Sequence, residues 1–227
     1  MDETSLLQVD RPADGVARVR LNRPEARNAL SMALRRALAS ALQALDDDEG
    51  VRCVIVCGQP GYFAAGADLK ELAALSPSQV ERLPVLRLWR AVSDFSKPMI
   101  AAVSGVAFGG GCELALHADV IVAARSSRFG LPEVSVGIMP GGGATQRLVR
   151  SVGKYHAMRM MMTGEPVNAS DALAMGLVSE VVDDAALEGR AIELASLIAS
   201  RPPVALRLLK QVALAGADAS LATGLLL

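Results

Sequence analysis

The stretch Met99–Ala124, MIAAVSGVAFGGGCELALHADVIVAA, decides the fold class of this chain. Its pattern predicts a strand over Met99–Ser104, a glycine turn at Gly109–Gly111, a helix that carries Glu113 and a second strand over Val120–Ala123. This is the most apolar part of the chain, but its glycines and charged residues are typical of a buried core and not of a membrane span. The stretch therefore predicts strands and helices that alternate around one core.

The same alternation continues towards the N-terminus. Strands are predicted over Val16–Leu21, where apolar and polar residues alternate, and over the almost continuously apolar Val51–Cys57. Helices are predicted from Ser31 to Leu45 and from Asp68 to Leu75. Apolar strands that alternate with helices are typical of an α/β protein, and we predict such a core over residues 1–165.

The character of the chain changes after Ser151. Only Leu177–Val182 has the pattern of a strand, and the other segments have helical periodicity: Lys154–Met162, Ala169–Met175, Ala185–Ala199 and Pro203–Ala215. We therefore predict a mostly helical C-terminal region over residues 166–227. The apolar helical pattern that begins near Ala219 is still running at Leu227, so we expect that the remainder of a helix is missing.

Composition restricts the partners and the compartment. The apolar fraction is 52 % and the aromatic fraction 3 %, so the core must consist mostly of Ala, Val, Leu and Ile. A formal net charge of −1 gives no electrostatic reason to expect nucleic acid or an anionic membrane as a partner. The N-terminus, MDETSLLQVD, has no secretory signal, and the cysteines Cys53, Cys57 and Cys112 show no disulfide pattern. These features predict a cytoplasmic protein.

Two segments have the same construction, a turn of small residues that enters a helix. They are FAAGADLKE, at residues 63–71, and FGGGCE, at residues 108–113. The first N–H groups of a helix have no intrahelical acceptor, and small residues allow an oxygen to approach them closely. If the two turns face each other, their N–H groups converge on one oxygen and form an oxyanion hole.

The acidic residues beside these turns have structural and catalytic interpretations. Asp68 and Glu71 have the spacing of a capping box, in which each side chain accepts from the other residue's N–H. Glu113 either complements the dipole of its helix or takes part in catalysis. His117 shares a helix face with Glu113, but a metal site needs a further ligand and the only other histidine is His156. We predict no metal.

A third segment, FGLPEVSVGIMPGGGATQRL at residues 129–148, carries Glu133 directly after a proline and among apolar neighbours. A carboxyl group that loses water in such surroundings has a raised pKa, which suits a general acid or base. The alternative is a solvated loop glutamate.

Together these three segments resemble the signature blocks of the crotonase, or enoyl-CoA hydratase/isomerase, superfamily. The resemblance begins at LNRPEARNAL, residues 21–30, and extends to TGEPVNASDALAMGLVSEVV, residues 163–182, and RPPVALRLLK, residues 201–210. It thus covers nearly the whole chain. It implies a spiral of β-β-α units, a helical C-terminal trimerisation region, and a homotrimer or homohexamer.

The resemblance also implies roles for individual residues. Ala67 and Gly110 correspond to the two N–H donors that bind the thioester oxygen, and Glu113 and Glu133 correspond to the two catalytic glutamates. The substrate, an acyl-CoA, would contact Ala26, Ala65, Ala67, Asp68, Leu69, Lys70, Gly110, Pro132 and Gly141. No separate cofactor is implied, because coenzyme A belongs to the substrate.

The implied reaction is the hydration of a 2-enoyl-CoA. Glu113 would orient and deprotonate the water, and Glu133 would protonate C2. A Δ3,Δ2-enoyl-CoA isomerase is the nearest alternative, but it needs only the carboxylate that corresponds to Glu133. The sequence does not specify the acyl chain.

More distant alternatives fit the same residues less well. Gly109–Gly111 lacks the spacing of a dinucleotide fingerprint, and no G-x-S-x-G elbow of a serine hydrolase occurs. The near-neutral charge argues against an RNA-binding relative. A CoA-binding scaffold without catalysis would bind acyl-CoA and show no turnover.

Overall fold

The computed structural model describes residues 6–227, except for the side chains of Pro77 and Glu81. Ten strands are found in this part of the chain: β1 (Leu7–Ala13), β2 (Val16–Leu21), β3 (Cys53–Cys57), β4 (Tyr62–Ala64), β5 (Met99–Val103), β6 (Val106–Phe108), β7 (Val120–Ala124), β8 (Arg128–Gly130), β9 (Val167–Asn168) and β10 (Glu180–Val182). They form a six-stranded sheet in the order β1-β2-β3-β5-β7-β10 and a four-stranded sheet in the order β4-β6-β8-β9. Only β1 in the large sheet and β9 in the small one pair antiparallel.

Ten α-helices surround the two sheets within the same described range. They are α1 (Met32–Asp47), α2 (Leu69–Ala73), α3 (Pro77–Glu81), α4 (Val85–Ser93), α5 (Gly110–Leu116), α6 (Ala144–Thr163), α7 (Ala169–Ala174), α8 (Leu187–Ala199), α9 (Pro203–Ala217) and α10 (Leu221–Gly224). Helix α6 is broken at Gly153, whose φ of 75° is not helical. The helix predicted over Lys154–Met162 is the second half of α6.

The large sheet is buried on both faces, which explains the continuous apolar character of its central strands. All five residues of β3 are buried. Val54 and Val56 point into the larger apolar cluster, which includes residues of α1 and α5. The alternate residues Cys53, Ile55 and Cys57 point into a second cluster, which α8 covers. Strand alternation therefore gives each face of the sheet its own core.

The predicted strands and helices of the α/β core are found, but β1, β4, β6, β8, α3 and α4 were not predicted. Strands β4, β6 and β8 have three residues each, too few to show the period of a strand. Strand β1, LQVDRPA, is an exposed edge strand, so its residues lack the apolar pattern of a buried strand. Helix α4, VLRLWRAVS, buries only Trp89 and Val92. Strand β10 joins the large sheet, and α8 packs on that sheet. The boundary at residue 165 stays a prediction.

Helix α1 is capped by residues from two segments, and this corrects the predicted capping box. Asp68 accepts from the N–H groups of Lys70 and Glu71, as expected for the cap of α2. The side chain of Glu71, however, accepts from Met32 N at 2.8 Å and not from Asp68 N. Glu71 thus satisfies the first N–H of α1 across the fold, since Ser31 caps Leu34 N. Sequence spacing alone cannot reveal this partner.

In the part of the chain that the structure describes, each helix is too short or too polar to span a membrane.

Candidate active site

The two small-residue turns lie side by side because the strands before them are neighbours. Strands β4 and β6 pair parallel, so their carboxyl ends lie at the same edge of the small sheet. Gly66 and Gly109 adopt φ values of 110° and 50°, which favour glycine. A Cβ built on Gly110 would lie 3.7 Å from Ala67 N, so the two backbone nitrogens meet in one corner.

Both N–H groups in this corner are free to bind an external oxygen. Gly110 is the first residue of α5, so its N–H has no intrahelical acceptor. Ala67 N–H donates no hydrogen bond to another residue within the described range, and the neighbouring Gly66 O is taken by Leu30 N at 2.7 Å. The predicted oxyanion residues are therefore brought together in a suitable arrangement.

Glu113 lies one turn into α5 and is only 3 % exposed. Its Oε1 accepts from Gly142 N at 2.6 Å and from Ala144 N at 3.1 Å, at the start of α6. Burial raises the pKa of Glu113, and the N–H groups of Ala144 and Gly142 oppose that rise because they stabilise the carboxylate. Its Oε2 is not occupied by these contacts and remains available.

Glu133 reaches the same edge because β8 pairs parallel with β6. It lies in a short 3-10 helix, Pro132–Val136, directly after the buried Leu131. A Cβ built on Gly109 would lie 2.8 Å from Glu133 Oε1, so glycine is required where this carboxyl group enters the site. Glu133 Oε2 is the one buried side-chain oxygen or nitrogen without a hydrogen-bond partner in the part of the chain that the structure describes.

The pKa of Glu133 is raised first by burial and then by the negative charge of Glu113. The two glutamates therefore differ in their partners. Glu113 accepts two N–H groups that favour its ionised form, whereas Glu133 has an unpartnered oxygen and is affected by the negative charge of Glu113. Such a pair is suited to hold one proton between its members.

His117 stabilises the loop of residues 137–143, called the Gly142 loop, and this loop in turn binds Glu113. Its Nε2 lies 2.9 Å from Gly142 O, and because a carbonyl oxygen only accepts, Nε2 carries the proton. Nδ1 lies 3.2 Å from Ser93 Oγ, and the imidazole stacks on Trp89 with ring centroids 5.1 Å apart. Burial lowers the pKa of His117 to about 4, so the ring is neutral at pH 7. The residue thus acts on Gly142, whose N–H binds Glu113.

Arg35, from α1, lies against the Trp89 ring and beside the oxyanion corner. Its Cζ is 4.9 Å from the ring centroid, and its Nε donates to Leu30 O at 3.1 Å. A Cβ built on Gly110 would lie 3.3 Å from Arg35 Nη2. The guanidinium therefore forms part of the wall of the site.

The predicted substrate-contact residues fall into two groups. Around the turn after β4, Ala65 N donates to Arg27 O at 3.0 Å, which joins the Ala26 segment to this turn. Leu69 and Lys70 are exposed at the start of α2, and Asp68 pairs with Arg23 at 2.6 Å. The second group, Pro132 and Gly141, flanks Glu133 and the Gly142 loop. Their contacts with substrate stay predictions.

The sequence pattern did not identify Arg35 and Trp89 as site residues, and it considered His117 only as a metal ligand. Of these three residues, His117 was the easiest to identify from the sequence, because a spacing of four residues places it on the same face of α5 as Glu113. Trp89 is the single tryptophan. Among the side chains that the structure describes, no group of three or more His, Cys, Asp or Glu residues is arranged to hold a metal ion.

Comparisons with known proteins agree with this geometry. Residues 11–226 match the family model described as enoyl-CoA hydratase/isomerase. The 2,3-dehydroadipyl-CoA hydratase of Escherichia coli is 46 % identical over 206 residues, which cover 90 % of this chain and 80 % of that protein. The mitochondrial enoyl-CoA hydratase of Pongo abelii is 41 % identical, over 92 % of this chain and 72 % of that protein. The chain belongs to the enoyl-CoA hydratase/isomerase family.

Solved structures extend the comparison to the fold. The enoyl-CoA hydratase of Bacillus anthracis superposes with a TM-score of 0.94 at 39 % identity, over 97 % of this chain and 86 % of that one. The predicted crotonase fold is confirmed. The relatives named enoyl-CoA hydratase also confirm the prediction of an enzyme with hydratase function.

Proposed function

We propose that this chain catalyses the reversible syn addition of water to a 2-enoyl-CoA, which gives a 3-hydroxyacyl-CoA, with Glu113 and Glu133 as its acid–base pair. The observation that carries the assignment is the placement of the buried Glu113 and the half-buried Glu133, which have different partners, at the sheet edge that also presents the free N–H groups of Ala67 and Gly110. An isomerase needs one carboxyl group, whereas this site has two.

The N–H groups of Ala67 and Gly110 support the first half of the mechanism. Addition of water to C3 moves negative charge onto the thioester oxygen, which becomes enolate-like. Two preorganised donors stabilise this charge more than they stabilise the neutral carbonyl group, and each contributes about 3 kcal/mol. Because the donors belong to the backbone, their direction does not depend on a side-chain rotamer.

The glutamates supply the proton transfers. Glu113, with Oε1 held by Gly142 and Ala144, orients a water through Oε2 and removes its proton as C3 is attacked. Glu133 enters the cycle protonated and gives its proton to C2. Its raised pKa, due to burial and the charge of Glu113, supports this role. In the reverse direction Glu133 removes the C2 proton.

The remaining proposals concern coenzyme A and assembly. The CoA portion would lie along Ala65, Asp68, Leu69 and Lys70 and near Ala26, with Pro132 and Gly141 closer to the acyl group.

A homotrimer or homohexamer is supported by the exposed leucines of α9 and α10, since large apolar surface patches mark interfaces. The cytoplasmic location remains a prediction.

Hydration of crotonyl-CoA by the purified chain tests the activity. The loss of ultraviolet absorbance of the conjugated thioester reports the rate. Glu113→Gln and Glu133→Gln are each expected to lower kcat by about 10²- to 10⁴-fold, because each removes one proton-transfer group. A fully active Glu113→Gln variant would contradict water activation by Glu113 and favour the isomerase.

A further inference from the structure

A cation lies at the edge of the oxyanion corner. The guanidinium of Arg35 donates from Nε to Leu30 O at 3.1 Å. Leu30 forms a parallel bridge with Ala67, so this hydrogen bond fixes Arg35 to the segment that supplies the first N–H group of the corner. Its Nη2 lies 3.3 Å from the position that a Cβ on Gly110 would occupy, next to the residue that supplies the second N–H group. The guanidinium therefore reaches from one side of the corner to the other.

Two further observations define the position of the guanidinium. Its Cζ lies 4.9 Å from the centroid of the Trp89 ring, a distance at which a cation is attracted to the face of an aromatic ring. The same Cβ position on Gly110 lies 3.7 Å from Ala67 N, so Arg35 Nη2 and Ala67 N border the same small space. An oxygen that accepts from both N–H groups therefore lies close to a positive charge.

The charge of Arg35 is not cancelled by an ion pair with any side chain that the structure describes. A guanidinium keeps its proton at every pH at which the enzyme would be studied. Burial lowers the pKa of Arg35, and the negative charges of Glu113 and Glu71 oppose this change, so the two charges act on it from a distance. The contacts of these carboxylates are to backbone: Glu71 Oε2 accepts from Met32 N, and Glu113 Oε1 accepts from Gly142 N.

The position of this cation matches the place where negative charge develops during hydration. The thioester oxygen bound at Ala67 and Gly110 changes from a neutral carbonyl oxygen to an enolate oxygen as water attacks C3. A fixed positive charge attracts the enolate oxygen more strongly than the carbonyl oxygen, so it lowers the barrier and does not merely tighten binding. The two N–H groups by themselves supply only partial charges.

We propose that Arg35 adds a formal positive charge to the oxyanion hole and thereby stabilises the enolate form of the bound thioester. The inference rests on the proposed function for the position of the thioester oxygen. Because the effect comes from charge, lysine should replace Arg35 in part, whereas a neutral side chain that donates a hydrogen bond should not.

Acetoacetyl-CoA tests the proposal without turnover. This thioester loses a proton from C2 and becomes an enolate, whose near-ultraviolet absorbance distinguishes it from the keto form. The ratio of bound enolate to bound keto form is measured across the pH range for the unmodified chain and for Arg35→Gln. Since a nearby opposite charge lowers a pKa by about one unit or more, the ratio at a given pH should fall about tenfold or more in Arg35→Gln.

Further variants separate the charge of Arg35 from its packing. Arg35→Lys should retain most of the enolate, whereas Arg35→Met, a second neutral variant, should lose it as Arg35→Gln does. Arg36→Met is the matched control on an exposed position of the same helix and should behave as the unmodified chain does. Circular dichroism and thermal unfolding verify that each variant is folded.

Butyryl-CoA, on which no negative charge develops, is the control ligand. Its affinity should differ by less than about threefold between the unmodified chain and Arg35→Gln, because only uniform binding is measured. If the neutral variants keep the enolate ratio, or weaken butyryl-CoA as much as the enolate, the proposal is wrong. It is also wrong if the unmodified chain binds acetoacetyl-CoA only in the keto form.

Hydration of crotonyl-CoA separates this inference from the proposed function. In Arg35→Gln we expect kcat to fall about tenfold and KM to change less than about threefold, since the charge acts on the transition state. A chain that hydrates crotonyl-CoA equally fast with and without the charge of Arg35 keeps the proposed function and loses this inference. A chain that does not hydrate crotonyl-CoA loses the proposed function, while the enolate ratio still decides the role of Arg35.

Discussion

Glu113 and Glu133 show at the residue scale how one residue type obtains two different environments. Each carboxyl group is desolvated, which alone would raise both pKa values. Only Glu113 accepts two backbone N–H groups, whereas the Oε2 of Glu133 is buried without a partner. The ionised form is therefore favoured at Glu113 and the protonated form at Glu133.

The pH dependence of hydration follows from this pair. We expect kcat/KM to fall at low pH, as Glu113 becomes protonated, and at high pH, as Glu133 loses its proton. In Glu113→Gln, the charge that raises the pKa of Glu133 is gone, so the high-pH decline of the residual activity should move to lower pH. Rates measured across the pH range for both proteins check this. An unchanged high-pH limb would contradict the coupling.

His117 provides a second prediction at this scale, for stability. Its pKa is about 4 in the folded protein and near 6.5 when unfolded, so between these values only the unfolded chain binds the proton. The contribution of neutral His117 to the free energy of unfolding is complete above about pH 6.5. It decreases as the pH falls towards 4, by up to about 3 kcal/mol. Unfolding by urea at several pH values should show a shallower pH dependence in His117→Gln. Parallel curves for the two proteins would refute the assignment.

At the scale of elements, Glu113 also organises a helix. Gly143 is the N-cap of α6 and has no side chain, so it cannot cap the helix itself. Glu113, which belongs to α5, caps α6 instead, because its Oε1 accepts a hydrogen bond from the N–H of Ala144, the first residue of α6. The negative charge also complements the positive end of the α6 dipole. The same contact therefore joins two helices and directs the carboxylate.

The Gly142 loop must remain without a side chain for this arrangement. In Gly142→Ala the added Cβ would lie 2.5 Å from Trp89 Cε2 and 2.6 Å from Glu113 Oε2, so the loop must shift and lose its hold on Glu113. We expect at least a tenfold loss of kcat and destabilisation of about 1–3 kcal/mol. Steady-state kinetics and thermal unfolding measure the two effects.

Gly189→Ala provides the control for this substitution. Gly189 lies exposed in α8, and a Cβ there would meet nothing within 4 Å. Alanine should leave kcat unchanged and add about 0.5–1 kcal/mol of stability, since it favours a helix over glycine. Equal behaviour of the two variants would show that the contacts around Gly142 are unimportant.

At the scale of the whole molecule, the C-terminal helices differ from the core. Helix α9 has no buried residue, and its apolar side chains Val204, Leu208 and Leu209 are more than half exposed. Leu221 and Leu225–Leu227 continue this surface on and after α10. An apolar surface of this extent is typical of a subunit interface.

The oligomeric state tests this interpretation. Leu208→Lys combined with Leu209→Lys places two charges on the exposed face of α9 and is expected to lower the mass measured by light scattering from a trimer or hexamer towards a monomer. Leu173→Lys, on the exposed part of α7, is the control and should leave the mass unchanged. If the unmodified chain is monomeric at micromolar concentration, the proposed assembly is wrong.

The sequence by itself determined the central strands β2, β3, β5 and β7 of the α/β core, the two small-residue turns and the two glutamates. These features depend on local physics: apolar runs form buried strands, glycines permit turns with positive φ, and a proline places Glu133 at a turn. Each is encoded within about ten neighbouring residues. The signature blocks then led to the family, which the relatives confirm.

Only the tertiary structure decided which distant groups meet. Glu71 caps α1 instead of completing a box with Asp68, His117 holds Gly142, and Arg35 lies on Trp89. These partners are separated by at least 25 residues along the chain, and no periodicity records such a separation. Strands β4, β6 and β8 pair parallel, so the chain crosses over between them and their carboxyl ends lie at one edge of the small sheet. The candidate site lies at that edge.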